Sequence, residues 1–317
     1  PGRWRARLAV PLPAVVCALA CFAAAVAVAQ EAEAPAALSA RGADTCLSCH
    51  ASMPERPVLG IFQTRHALGT DPDSPFAQLQ CESCHGPGGA HTQRVRRGQS
   101  RGPIRNFGPE SATPVSEQNE VCLGCHESDP GPAWHGGVHA FEDLSCASCH
   151  QVHAERDPVL SVTEQPAVCF DCHQRQHTAS LMAWTHPIRY GQMSCSACHD
   201  PHGATGGTTL NRMTVNDTCY ACHAEKRGPF LWEHAPVADD CTLCHDPHGS
   251  MHPAMLTRRP PLLCQQCHSQ AGHPSIANTS PGLPPGGASP LLLGSSCLNC
   301  HTQVHGSNHP SGAGLAR

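Results

Sequence analysis

Cys46-Leu47-Ser48-Cys49-His50 is the stretch that decides how this chain folds. The pattern C-x-x-C-H recurs nine more times, beginning at Cys81, Cys122, Cys146, Cys169, Cys195, Cys219, Cys241, Cys264 and Cys297. Two thiols at i and i+3 followed at once by a His are what covalent haem attachment requires: the sulfurs form thioethers to the haem vinyl groups and the His lies under the iron. Zinc and dithiol CxxC chemistry makes no use of a His directly after the second Cys, so ten such placements favour haem c. The expected cofactors are therefore ten covalently bound haem c groups with their irons. The thioether pairs are Cys46/Cys49, Cys81/Cys84, Cys122/Cys125, Cys146/Cys149, Cys169/Cys172, Cys195/Cys198, Cys219/Cys222, Cys241/Cys244, Cys264/Cys267 and Cys297/Cys300. The proximal iron ligands are His50, His85, His126, His150, His173, His199, His223, His245, His268 and His301.

Composition fits that reading. Aromatic residues make up 4% of 317 residues, whereas 28 Gly and 30 Pro favour loops and short helices over sheets or long helices. Twenty of the 22 Cys lie in the motifs, leaving only Cys17 and Cys21 upstream, so no disulfide is expected downstream of them. The expected class is a multihaem cytochrome c: mostly irregular, with short α-helices and little or no β, an elongated haem wire whose cofactors serve as its core.

At the N-terminus Arg3, Arg5 and Arg7 precede an apolar run from Leu8 to Val28, which ends in Ala27-Val28-Ala29. This reads as a cleaved secretory signal peptide over 1–29, followed by a flexible lead-in over 30–45 and a decahaem domain over 46–317. An uncleaved anchor is opposed by Pro11 and Pro13 and by small residues at the run's end. A lipidated Cys21 is opposed by the poor match of Ala18-Leu19-Ala20 to a lipobox. Without the leader Arg the balance is 17 basic against 25 acidic residues, which argues against a nucleic-acid partner.

From Cys46 onward the chain repeats one grammar five times: motif, linker His, motif, trailing His. The dihaem units cover about 46–91, 122–153, 169–202, 219–248 and 264–309. The linker His66, His139, His186, His234 and His273 and the trailing His91, His153, His202, His248 and His305 are the expected distal iron ligands. A trailing His three residues past its own motif His cannot round the macrocycle edge, so it is expected to serve a neighbouring haem. His135, His177, His252 and His309 are spare, with His135 against His139 and His305 against His309 left open. Motif starts from Cys122 to Cys264 lie 22 to 26 residues apart, whereas longer inserts flank that stretch. One insert is basic (Arg94, Arg96, Arg97, Arg101, Arg105) and one, Ser280 to Pro290, is rich in Pro and Gly; both read as surface loops. For the basic loop the readings are solvation and propionate screening, or docking of an acidic partner.

Three stretches carry a family resemblance: Ala224-Glu-Lys-Arg-Gly-Pro-Phe-Leu-Trp-Glu-His234-Ala-Pro-Val, Cys241-Thr-Leu-Cys-His-Asp-Pro-His248-Gly, and Cys297-Leu-Asn-Cys-His-Thr-Gln-Val-His305-Gly-Ser-Asn-His309-Pro-Ser-Gly. With them the chain resembles the periplasmic decahaem c-type cytochromes of the MtrA/DmsE type, to which MtoA and PioA are related. The resemblance implies bis-His haems in a line and a periplasmic protein associated with the outer membrane. Its implied partners are an outer-membrane β-barrel porin, an outer-surface multihaem cytochrome or terminal reductase, and a periplasmic or inner-membrane multihaem donor. The expected function is electron transfer between periplasm and cell surface, without a substrate-converting site. The alternative is a soluble periplasmic electron shuttle. A multihaem oxyanion reductase fits less well, because all ten motifs end in His and Lys226, the one Lys, lies outside them.

Overall fold

One helical turn brings residues i, i+3 and i+4 to the same side, and each motif uses one. In eight motifs the His N–H donates to the carbonyl of the first Cys at 2.9–3.0 Å, from His126 to Cys122 through His301 to Cys297. The other two lie in α-helices, Ala43–His50 and Cys81–His85. Both thiols and the imidazole of a motif thus point to one side before any tertiary contact forms.

The chain divides into two units, 1–37 and 38–317. The computed structural model describes residues 36–54, 57–126, 128, 131–203, 209–268, 296–299 and 301–310. The expected signal peptide, the Ser280 to Pro290 insert, the linker His273 and the thiol of Cys300 lie outside the described residues. In the first unit only residues 36 and 37 are described, and they have no regular structure. In the second, the longest helix is Val115–Leu123, nine residues. Motifs alternate in form: Cys122, Cys169 and Cys219 sit in α-helices, while Cys146, Cys195 and Cys241 open 3-10 turns. Among the described residues there is no β-strand, only four isolated bridges. Within the stretch expected as a flexible lead-in, Ser39 is buried and its N–H and hydroxyl donate to Glu82 at 2.9 and 2.8 Å.

Among the described residues the buried apolar side chains are Ala43, Trp134, Pro166 and Ala179, against eleven buried polar or charged ones. The polar ones act as knots. Asn119 donates to the Leu144 carbonyl (3.0 Å) and accepts from the Cys146 N–H (2.8 Å). Asn216 repeats the clip on Val237 (2.9 Å) and Cys241 (2.8 Å) two units later. Each Asn stands three residues before the first Cys of its unit, so it ties one motif helix to the entry of the next motif.

Neighbouring units touch just after each trailing His. Trp184 and Ser250 exchange two main-chain hydrogen bonds at 2.9 Å, and Trp232 and Ser307 do the same at 2.9 and 3.0 Å. At these crossings Gly203 (φ +129°) and Gly249 (φ +142°) take a conformation that side chains rarely adopt. A Cβ at either would meet the carbonyl oxygen of Ala133 or Ala179 in the preceding unit. The chain thereby lines a continuous cavity of about 5000 Å³, onto which the first Cys of every motif opens.

Candidate haem sites

The imidazoles come in facing pairs. His50 faces His91, His85 faces His153, His126 faces His66, His150 faces His202 and His173 faces His139. His199 faces His248, His223 faces His186, His245 faces His305 and His268 faces His234. All nine centroid separations fall between 5.9 and 6.4 Å. An imidazole–metal bond is about 2.0–2.1 Å and the ring centre lies about 1.1 Å beyond the nitrogen, so two imidazoles on opposite sides of one metal have centres about 6.2–6.4 Å apart. The pairs are spaced to hold one iron each.

Ring orientation agrees. In eight of the nine pairs one imidazole places Nδ1 against a pure acceptor. His85 meets the Arg105 carbonyl (2.8 Å), His91 Gly102 (3.0 Å), His139 Pro201 (2.8 Å) and His186 Pro247 (3.0 Å). His199 meets Thr209 (3.2 Å), His234 Val304 (2.9 Å), His245 Ala254 (2.8 Å) and His150 the Asp157 carboxylate (2.7 Å). An acceptor there requires Nδ1 to carry the proton, which leaves the Nε2 lone pair free for a metal. Burial holds His66, His153, His248 and His305 below the ordinary imidazole value. The facing motif His adds to this, with Lys226 ahead of it at His305. Neutral imidazole is the form that binds metal.

The cysteines set the order of the sites. Within every unit the two first thiols lie near enough to shift one another's acidity: Cys46 and Cys81, Cys122 and Cys146, Cys169 and Cys195, Cys219 and Cys241, and Cys264 and Cys297. The thiols of Cys122 and Cys169 lower Cys146 and Cys195 to about 7, whereas burial leads in pushing Cys81, Cys219 and Cys264 up to about 11. Between units the second thiols approach. Burial and then the neighbouring thiol raise Cys84 beside Cys125, Cys149 beside Cys172 and Cys244 beside Cys267. Cys198 is raised by burial, then by Cys219 and Cys222 of the following unit. First thiols influence one another within a unit and second thiols do so between units, so successive attachment sites neighbour one another in chain order.

The nine pairs use none of the spare His. His177 stacks on Phe170 at 4.6 Å, and the His309 carbonyl accepts from the Trp232 indole N–H at 3.0 Å. Trp134 packs edge-on against the distal His202 at 6.3 Å. Sequence reasoning missed Asn119, Asn216, Gly203, Gly249 and Asp157. The first two were marked by an Asn three residues before a motif and the next two by a Gly directly after a trailing His; nothing in the pattern marked Asp157.

Comparison with known proteins agrees with this geometry. A family described as cytochrome c-type protein NrfB-like matches residues 81–168, and a doubled CXXCH motif matches 186–228 and 234–273. The multihaem cytochrome MtrA of Shewanella baltica is 48% identical over 88% of this chain and 82% of its own length. The cytochrome c-type protein NrfB of Escherichia coli is 30% identical over 42% of this chain and 66% of its own, and the C-type polyhaem cytochrome OmcB of Geobacter sulfurreducens is 26% identical over 60% and 26%. Covalent haem c attachment and an irregular fold of short helices are thereby common ground, and the chain belongs to the MtrA family of multihaem c-type cytochromes, whose business is electron transfer.

Proposed function

We propose that the chain binds ten haem c groups and serves as an electron conduit across the outer membrane, sheathed by a β-barrel porin. It would run between a periplasmic or inner-membrane multihaem donor and an outer-surface multihaem cytochrome or terminal reductase. Each bound haem supplies an iron that takes up or gives up one electron. The chain does the rest. Its ten Cys pairs fix the attachment points, its motif His hold one face of each iron and its linker and trailing His hold the other. Nine assignments follow the facing pairs, and we assign the tenth to the linker His273 with His301, a closure inside one unit that departs from the linker pattern of the other four units. With a second imidazole facing each motif His, an iron held between the two would have no place for a substrate, which supports transfer without substrate conversion. The observation that carries the reading is the unbroken succession of nine facing imidazole pairs, 5.9–6.4 Å between ring centres, most of which join one unit to the next, since electron tunnelling falls steeply with distance and closely linked sites would keep every step short. Export by a cleaved leader and a periplasmic location beside the outer membrane complete the proposal. The test is limited proteolysis with and without the co-expressed porin. Protection of residues 122 to 268 in the complex is expected, and equal cleavage in both states would instead make the chain a soluble periplasmic shuttle.

A further inference from the structure

Among the described residues, seven of the eight Nδ1 contacts go to main-chain carbonyls. The exception is His150, whose Nδ1 donates to Asp157 Oδ2 at 2.7 Å. That carboxylate is 16% exposed and rigidly placed, because its other oxygen accepts from the N–H groups of Gln151 (3.2 Å) and Val159 (3.3 Å) while Asp157 caps the turn Pro158–Leu160. The facing imidazole has a carboxylate near it as well: Asp200 Oδ1 lies 3.8 Å from His202 Nδ1, as Asp246 lies 3.8 Å from His248 and Glu225 3.7 Å from His223, whose partners His199 and His186 have no carboxylate at Nδ1. Both imidazoles of this one pair therefore have a carboxylate behind them, and the rings are nearly parallel, 10° apart. In the equivalent second motifs His85, His199 and His245 are backed by main-chain carbonyls alone or by a Thr hydroxyl.

A carboxylate accepting from Nδ1–H draws the proton away from the ring and makes Nε2 a stronger donor, and its own charge favours the more positive metal. Both effects stabilise Fe(III) over Fe(II) and lower a reduction potential. We propose that Asp157 makes the His150–His202 site, fourth in chain order, the lowest-potential site of the protein. The proposal rests on ligation of iron by this pair and not on the porin. Reduction there adds one electron, forms and breaks no bond, and leaves the Nδ1 proton between His150 and Asp157. The site is then a step that electrons must climb, placed between units two and three.

The test is a spectroelectrochemical titration of the purified holoprotein, with haem content measured by intact mass. Asp157→Asn keeps Oδ1 for the two N–H groups but removes the charge and the Oδ2 acceptor. We expect about one-tenth of the haem absorbance, at the low-potential end, to move upward while the rest superimposes on the parent. Asp200→Asn should move the same tenth by less. A titration of fully loaded Asp157→Asn that superimposes on the parent, or a shift spread over all sites, overturns the proposal. Thr209→Asp is the reciprocal change, because Thr209 Oγ1 lies 3.1 Å from His199 Nδ1. It should move a second tenth downward, and it decides the matter if Asp157→Asn loads fewer haems. Failure of either variant to shift leaves the conduit reading standing, and failure of porin protection leaves this proposal standing.

Discussion

The first unit and the interior units answer the same requirement differently. In the interior each trailing His stands three residues past its motif His and reaches back into the preceding unit: His202 faces His150 and His248 faces His199. The first unit has no predecessor. Its trailing His91 stands six residues past His85 and faces His50 of its own unit. The basic insert holds that closure in place. Gly102 accepts from His91 Nδ1, Arg101 donates to the His91 and Gln93 carbonyls (both 3.0 Å), and Arg105 donates to Cys84 (2.8 Å) and Glu117 (2.9 Å). Two of the five Arg are thus committed to the end site, while Arg94, Arg96 and Arg97 stay exposed. A repeat whose units complete one another must end in an insertion that lets a terminal unit complete itself.

The contrast breaks most sharply at the interior crossings. Gly249→Val drives a side chain into the Ala179 carbonyl and should cost about 3–5 kcal/mol, seen as a large fall in melting temperature or incomplete haem loading. A variant that melts with the parent would show the crossing to be incidental. Next come the distal ligands. His202→Ala and His91→Ala should each open one site, so that carbon monoxide binds once per molecule where the parent binds none. Only His202→Ala should also speed proteolysis after residue 203, because it removes a link between units; equal proteolysis of both variants would erase the distinction. Smaller again, Asn119→Ala and Asn216→Ala each leave a main-chain N–H and carbonyl without their clip and should cost about 2 kcal/mol in denaturant unfolding.

The smallest effect concerns Glu82, which anchors the first unit. Burial pushes its carboxyl up, but hydrogen bonds from Gly88 and Ser39 outweigh this and hold it below the usual carboxylate value. A lowered folded value means that its stabilisation is complete above the unfolded carboxylate range, about 4.3, and is lost as pH falls through the folded value. Glu82→Gln should cost about 1 kcal/mol at neutral pH, and the gap to the parent should close as the solution is acidified. A gap that widens in acid would reverse the assignment.

The fold class was legible because C-x-x-C-H is local: five consecutive residues fix both the turn and the chemistry. Nine of the ten linker and trailing His expected as distal ligands face a motif His, as their repetition with the motifs suggested, and the tenth, His273, lies outside the described residues. Their partners were not legible. His66 faces His126 sixty residues later and His153 faces His85 behind it, and nothing in the spacing states which neighbour a side chain meets. The phase of the repeat is equally hidden. The doubled-motif matches begin at His186 and His234 and pair motifs across the five-unit division, which is sound because thiols of successive motifs influence one another on both sides of each boundary. The carboxylate behind His150 belongs to no repeat at all and became visible only as a distance.

The exchange of ligands between neighbours also bears on how long such a protein can be. Suppose the chain stopped after the second unit. His150 would lack His202 and His139 would lack His173, so the cut would leave one motif imidazole and one linker imidazole at the new edge. Every whole number of units leaves this one complementary couple at its C-terminal edge, and the first unit never leaves any. Genes encoding such chains can therefore lengthen or shorten by duplication or loss of whole units with only this one couple to be closed at the edge, and the span of the chain becomes a quantity that selection, or a protein engineer, can adjust in steps of two motifs.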